Sequence, residues 1–146
     1  MPLVYFDASA LVKLLVEEIG SGLAAELWDG CDAAVASRLA YPEVCAALAA
    51  AGRNSTLTGE EADSARRSWA EFWAATRPIE LTAPVQRHAG ELAHAHALRG
   101  ADAVHLASAL AMSDPSLVMA VWDRRLHAGA RAAGLRVAPA TLPGQR

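Results

Sequence analysis

The stretch LVYFDASALVKLLVEE, residues 3–18, decides the fold class of the chain. It begins with LVYF (3–6), a short apolar run rich in β-forming residues, which predicts a strand buried on both faces. Asp7 ends the apolar run, and Ser9 is expected to cap a helix that continues through residues 10–18. A buried strand that leads directly into a helix is typical of proteins with a parallel sheet, because parallel strands need crossover connections.

The same alternation continues along the rest of the chain. Further strands are predicted at 32–37, 78–82, 116–122 and 135–139. Helices are predicted within 21–30, 38–52, 57–76, 83–100, 102–113 and 124–134. Gly100 is expected to end one helix so that the next can begin near Asp102. The pattern predicts an α/β fold with a central, mostly parallel sheet of about four or five strands. Because no linker, repeat or low-complexity run interrupts it, we expect a single domain over 1–146.

The composition excludes several classes of protein. A net charge of −3 argues against a general binder of polyanions, although 12 of the 13 basic residues are arginine and a local basic patch remains open. Cys31 and Cys45 form no CxxC motif, so no zinc knuckle or redox motif is indicated, and both are expected to be buried thiols. No signal peptide and no apolar run of the ~18 residues needed to span a bilayer is found, so a cytoplasmic location is expected.

Four acidic residues stand at ends of the predicted elements. Asp7 and Asp123 each follow a strand, Asp102 begins a helix, and Glu43 lies in the first turns of a helix that follows a strand. Functional residues of parallel sheets gather at the carboxyl ends of strands, so the four carboxylates are expected at one edge. Each acid alone also fits a helix cap or a partner of the helix dipole. Both interpretations remain open for the individual residues.

A cluster of these four carboxylates would need a positive partner. Without one, the acids would raise each other's pKa values and destabilise the fold. Oxygen ligands favour Mg²⁺ or Mn²⁺, and one or two such ions support hydrolysis of a phosphodiester bond. The sequence therefore predicts a metal-dependent phosphoesterase.

Other candidate residues surround these acids. Four arginines near them are candidates for binding phosphates, although each fits a solvated surface equally well: Arg38, Arg99, Arg124 and Arg125. His105 follows Asp102 by one helical turn and either faces the same cleft or is a core histidine bonded to backbone, which is favoured. Trp69 and Trp73 share a helix face that is expected to pack on the core, or on a dimer partner or inhibitor.

The chain resembles the PIN-domain ribonucleases, and more closely the VapC-type toxins of bacterial toxin–antitoxin pairs. The resemblance rests on four stretches in the expected order, which together span nearly the whole chain: VYFDASALVKLLVEE, SRLAYPEVCAALA, LRGADAVHLASAL and VWDRRLHAGARAAGL. Each stretch alone is weakly specific, but the four at these intervals are a specific signal.

The resemblance implies a three-layer α/β/α sandwich and a metal-dependent endoribonuclease that cuts structured RNA such as transfer or ribosomal RNA. It implies Mg²⁺ or Mn²⁺ bound by Asp7, Glu43, Asp102 and Asp123, with Ser9 helping to hold the first carboxylate or its metal waters. Such toxins usually form homodimers and are inhibited by a small antitoxin whose C-terminal segment fills the groove, often with a basic side chain against the acids. The chain departs from many relatives at Val121, where they have Thr or Ser, and this puts the positioning of Asp123 in question.

Alternative functions remain open at this point. The acids alone also fit another metal phosphoesterase or a DNase, and the fold could serve a non-catalytic interaction protein. A receiver domain would need a lysine at a late strand end, whereas the only lysine is Lys13. A haloacid-dehalogenase-like phosphatase would need Asp-x-Asp, whereas this chain has Asp7-Ala8-Ser9.

Overall fold

The computed structural model describes residues 2–144 and is built around one parallel sheet. Its five strands are β1 (Leu3–Phe6), β2 (Ala33–Ser37), β3 (Arg77–Ile79), β4 (Val118–Ala120) and β5 (Arg136–Ala138). They lie in the order β3-β2-β1-β4-β5, and every neighbouring pair is parallel. The predicted α/β sandwich is therefore confirmed, and the sheet is parallel throughout rather than mostly parallel.

Seven helices connect the strands of the described chain. They are α1 (Ala8–Lys13), α2 (Ser21–Gly30), α3 (Ala40–Arg53), α4 (Gly59–Ala74), α5 (Ala83–His96), α6 (Gly100–Ala111) and α7 (Arg124–Ala132). No helix within residues 2–144 is long and apolar enough to cross a membrane.

The strand order creates a crevice beside β1. The chain proceeds outward from β1 to β2 and β3, and then returns to place β4 on the other side of β1. In open parallel sheets, the gap where the strand order reverses is where ligands bind, outside the carboxyl ends of the strands. Asp7 follows β1 and Asp123 follows β4, so these two acids lie on either side of this gap.

Two apolar clusters bury the two faces of the sheet. Val4 and Phe6 of β1 face the cluster formed with α1, α3 and α4, whereas Tyr5 faces the cluster formed with α5, α6 and α7. Alternate residues of a strand point to opposite faces, so a strand covered on both sides must be apolar throughout. Full burial of each large side chain contributes roughly 1.5–3 kcal/mol, which fixes the strands that carry the acids.

The first helix is shorter than the sequence predicted. It ends at Lys13, and the chain then turns back so that the Lys13 ammonium donates to the Ile19 carbonyl at 2.7 Å and pairs with Glu18 at 3.0 Å. Gly20 closes this turn at a φ of 95°, and a Cβ there would lie 2.6 Å from Nε1 of Trp122. The apolar run thus continues beyond the helix because this turn packs on the same cluster.

Gly100 does not end a helix, contrary to prediction. α5 ends at His96, Ala97 adopts the left-handed conformation with a φ of 52°, and Gly100 is the first residue of α6. Leu98 is buried between the two helices and lies against Gly129 of α7. Burial of Leu98 therefore sets the position of the turn, and the glycine only begins the next helix.

The prediction that both cysteines are buried is also wrong. Cys31 is half-buried and Cys45 is exposed, and both are free thiols. Val44 and Cys45 are adjacent on α3, but Val44 lies on the face that packs on the core and Cys45 lies on the face exposed to solvent.

Candidate active site

Asp7 is a buried carboxylate at the start of α1. It is 4% exposed, and its Oδ1 accepts hydrogen bonds from the Ala10 backbone N–H at 2.9 Å and the Ser9 hydroxyl at 2.6 Å. Asp7 is therefore the cap of α1, and the prediction that Ser9 caps this helix is wrong. Burial raises the pKa of Asp7 to about 6, and this rise is limited by the charge of His105 and by the two hydrogen bonds. The site thus contains a carboxylate that water solvates poorly.

Ser9 connects Asp7 to the loop that follows β4. Its hydroxyl donates to Asp7 and accepts the backbone N–H of Trp122 at 3.2 Å. The neighbouring Val121 is buried and donates its own N–H to the Ala138 carbonyl at 3.0 Å. The Ser9 hydroxyl therefore holds the loop before Asp123. Val121, which lies in this loop, has no hydroxyl of its own.

Glu43 is held by a histidine from the core. Glu43 lies in the first turn of α3, and its Oε1 is 2.6 Å from Nε2 of His105. The other ring nitrogen, Nδ1, is 2.7 Å from the hydroxyl of Tyr5. Burial lowers the pKa of His105, but the hydrogen bond to Glu43 and the charges of the nearby acids outweigh it, so the pKa lies above its ordinary value. His105 is buried in the core, as the favoured interpretation expected, but its partners are side chains and not backbone groups.

Asp102 and Asp123 share one arginine. Asp102 lies in the first turn of α6, and Asp123 caps α7 by accepting the Leu126 N–H at 2.9 Å. Nε of Arg99 is 3.3 Å from Asp102, and Nη2 is 3.2 Å from Asp123. The Arg99 side chain is 67% exposed, so a guanidinium on the surface bridges the two carboxylates.

The four predicted acids therefore lie along one edge of the sheet. Each lies at the N-terminal end of a different helix, where the partial positive charge of the helix favours an anion. Arg99 bridges Asp102 and Asp123, whereas Ser9 joins Asp7 to the Trp122 backbone and His105 joins Glu43 to Tyr5. Within residues 2–144, however, no three side chains of His, Cys, Asp or Glu are close enough to hold a metal ion as they stand. An all-carboxylate donor set fits a hard cation, but the acids are paired here with His105 and Arg99.

The other predicted arginines have different partners. Arg38 pairs with Glu80 at 2.5 Å, and Arg124 donates to the Pro143 carbonyl at 2.9 Å. Arg125 is exposed on α7 and lines a surface cavity beside His96. Among the contacts of the described residues, only Arg99 of this group reaches the acids.

The aromatic face of α4 is only partly covered. Trp69 is buried in the core, whereas Trp73 is half-buried and lies 5.6 Å from the exposed ring of Tyr41 on α3. The expectation that Trp69 packs on the core is confirmed.

Tyr5 was missed as a residue of the site. It was treated only as part of an apolar strand, yet a tyrosine inside a fully buried run must find a partner for its hydroxyl. That requirement, together with a histidine one turn after an acid on another buried element, could have indicated the contact.

Comparisons with known proteins identify the family of this fold and site. The family model of the PIN domain matches residues 4–127. Ribonuclease VapC45 of Mycobacterium tuberculosis is 75% identical over 142 residues, which cover 97% of this chain and 99% of that protein.

Two solved structures share the fold at low sequence identity. One is M. tuberculosis VapC20, described as a sarcin–ricin loop cleaving toxin, with a TM-score of 0.66, 18% identity and coverage of 96% of this chain and 99% of that one. The other is a toxin–antitoxin complex from Klebsiella pneumoniae, with a TM-score of 0.65, 17% identity and coverage of 95% and 98%. The architecture, the match over residues 4–127 and the near full-length identity together place this chain in the PIN-domain family, among the VapC-type ribonucleases.

Proposed function

We propose that this chain is the toxin of a toxin–antitoxin pair and a metal-dependent endoribonuclease. One observation carries the proposal: four carboxylates lie at helix N-termini along the carboxyl edge of the sheet, in a chain 75% identical to a relative named as a ribonuclease. Repulsion among neighbouring carboxylates lowers the stability of the fold unless a cation is bound, so a group of acids of this kind points to a functional site.

The metal ligands in this proposal are Asp7, Glu43, Asp102 and Asp123. A bound Mg²⁺ or Mn²⁺ supplies Lewis-acid activation of the phosphodiester and of the attacking water. Asp7 lies deepest and contributes a carboxylate with little competing hydration. Arg99 is mostly exposed, so its guanidinium is free to leave the acids and contact a backbone phosphate instead. Arg38, Arg124 and Arg125 are further candidates for phosphate contacts around the crevice.

Cleavage assays with matched substrates test the activity. Purified protein is incubated with labelled RNA and with DNA of the same sequence, in Mg²⁺, in Mn²⁺ or in EDTA. We expect RNA to be cut only with a divalent cation and Asp7→Asn to be inactive, while Glu91→Gln, at an exposed acid on α5, stays active. Cutting of DNA alone would support a DNase, and binding of partners without any cleavage would support a non-catalytic interaction protein.

Transfer or ribosomal RNA is the proposed substrate class. VapC20, which shares this fold, is described as cutting the sarcin–ricin loop, and such a target supports structured RNA here. Sequencing of RNA 5′ ends after induction of the protein tests this, with Asp7→Asn as the control. We also expect the protein to act in the cytoplasm, where reduced thiols such as Cys31 and Cys45 persist.

A small antitoxin that binds the acidic groove is the proposed inhibitor, by analogy with the toxin–antitoxin complex of the same fold. Co-purification with the product of the reading frame just upstream tests this partner.

We further propose a homodimer in which the aromatic face formed by Tyr41 of α3 and by Trp69 and Trp73 of α4 takes part. Sedimentation of Trp73→Glu checks this, since an unchanged oligomer and unchanged antitoxin affinity would remove that face from both contacts.

A further inference from the structure

A line of buried polar groups runs through the core and ends on Glu43. It begins at the backbone N–H of Ser37, which donates to the Tyr5 hydroxyl at 3.2 Å. The Tyr5 hydroxyl is 2.7 Å from Nδ1 of His105, and Nε2 of His105 is 2.6 Å from the Glu43 carboxylate. Polar groups are scarce in this core, so a continuous line of them is an unusual use of buried space.

Counting donors along this line gives it a direction. A carboxylate only accepts, so Nε2 of His105 donates to Glu43; with a neutral ring, Nδ1 then accepts from the Tyr5 hydroxyl, whose oxygen accepts the Ser37 N–H. A neutral ring that accepts at Nδ1 carries its hydrogen on Nε2, which then donates to Glu43. A protonated ring carries hydrogen on both nitrogens, so Nε2 donates to Glu43 in that state as well.

The two rings in this line are fixed by packing. Tyr5 is 0% exposed and His105 is 2% exposed, and the rings meet edge to face with centroids 5.9 Å apart. Tyr5 lies on β1, two residues before Asp7, and His105 lies on α6, three residues after Asp102. Displacing either ring would therefore require movement of an element that carries another acid of the site.

Glu43 is the acid that most needs such support. It reaches the crevice from within α3 on a long, partly exposed side chain, whereas Asp7 and Asp123 are short side chains fixed by helix caps. A free glutamate side chain has several rotamers, and holding it in one of them costs conformational entropy when a ligand binds.

We propose that Tyr5 and His105 are positioning residues that hold the Glu43 carboxylate in the crevice ready to bind the divalent cation. This rests on the proposed metal-dependent function. Groups that orient metal ligands through hydrogen bonds contribute roughly 10- to 100-fold to metal affinity.

The chain offers a matched control in its other fully buried histidine. Nε2 of His127 is 2.7 Å from the Pro139 carbonyl, so this ring makes a similar bond but to backbone and not to an acid of the site. Loss of either histidine side chain costs the fold a buried hydrogen bond, but only loss of His105 removes a partner of Glu43.

The first test measures the affinity of the protein for Mn²⁺, without RNA, by calorimetric titration. We expect His105→Leu to weaken binding by roughly 10- to 100-fold. His105→Gln, whose amide can donate from a similar place, should retain most of the affinity, and His127→Leu should lower the melting temperature but not the affinity. Equal affinity in wild type and His105→Leu would overturn the proposal, and so would a Gln variant as weak as the Leu variant.

The second test uses metal-free protein and does not depend on whether His105→Leu folds. Nitrogen-15 spectra of the histidine rings in metal-free protein should show a hydrogen on Nε2 of His105, and Tyr5→Phe should broaden or shift both of its nitrogens without affecting His127. A hydrogen on Nδ1 with none on Nε2 would overturn the proposal, because Glu43 would then be the donor.

The two tests separate the two ideas. If wild type binds Mn²⁺ no better than Asp7→Asn does, the metal part of the proposed function fails, and the spectra alone then decide whether Glu43 is held by His105.

Discussion

The two halves of the acidic crevice are held by different kinds of partner. Asp7 and Glu43, the inner pair, are bonded to Ser9 and His105, which the core fixes in place. Asp102 and Asp123, the outer pair, share the exposed guanidinium of Arg99. Exposed ion pairs contribute only about 0–1 kcal/mol, so the outer contact is easily exchanged for another cation, whereas the inner contacts persist. The difference indicates a site with a rigid interior and a replaceable counter-ion at its mouth.

Neutralising one acid from each pair is the strongest way to break this comparison. If both pairs serve one metal site, Asp7→Asn and Asp102→Asn should each lower RNA cleavage by about 100-fold or more, since several kcal/mol of transition-state stabilisation are lost. Initial rates of RNA cleavage measure this, with Glu91→Gln as the control at an exposed acid. A variant Asp102→Asn that cuts RNA normally and is only less stable would reduce Asp102 to a residue of the helix start.

Stability against pH sharpens the contrast through Asp7. Its pKa is about 6 in the folded chain against 3.8 for the unperturbed group, so the folded protein holds this proton more tightly. As pH rises from about 4 to 6, the unfolded chain ionises first, and the Asp7 contribution to the free energy of unfolding falls by on the order of 3 kcal/mol, then stays constant.

Asp7→Asn should therefore be more stable than wild type above pH 6 in EDTA and equal to it below pH 4. Urea unfolding at a series of pH values measures the difference. If wild type is more stable than Asp7→Asn at pH 7 without metal, burial of the Asp7 carboxylate does not destabilise the fold.

The sequence was sufficient for the order of strands and helices along the chain and for the places of the four acids at element ends, but not for the exact helix ends or for most partners of the acids. Apolar runs predicted the central strands β1, β2 and β4, because a sheet covered on both faces leaves them no polar side, whereas the edge strands β3 and β5 begin with the exposed residues Arg77 and Arg136. The four acids were predicted at one edge because the ends of parallel strands coincide. The Tyr5–His105 bond joins residues 100 positions apart and depends on the strand order, which periodicity along one chain does not contain.

The resemblance implied that Ser9 holds Asp7, but the contact of Ser9 with Trp122 and the bridge made by Arg99 escaped prediction for a related reason. Helix-cap statistics favour Ser and Asp alike, and they do not show that α1 begins at Ala8, with Asp7 as its cap and Ser9 inside the helix. Arg99 was one of four equivalent basic candidates, and only the placement of α6 beside α7 makes it the one that bridges two acids.

Ser9→Ala tests whether the inner pair depends on its hydroxyl. The change removes one hydrogen bond to Asp7 and one from Trp122, so the pKa of Asp7 should rise further and the loop before Asp123 should loosen. We expect Mn²⁺ affinity and RNA cleavage to fall by about 10-fold, the lower range for loss of a group that orients a metal ligand. Ser9→Thr keeps the hydroxyl and should recover most of the loss, and equal defects in both variants would contradict this role.

Removal of the outer counter-ion should have the smallest effect, and in the opposite direction. Arg99→Gln takes away a positive charge that competes with a divalent cation for Asp102 and Asp123. Because the pair is exposed and contributes under about 1 kcal/mol, Mn²⁺ should bind about two- to five-fold more tightly. Calorimetric titration measures this, with Arg125→Gln as the matched control on α7. The gain should shrink at high salt, which screens the exposed guanidinium. Weaker binding in Arg99→Gln would mean that Arg99 supports the outer acids rather than competing for them, and the two halves of the crevice would then be held alike.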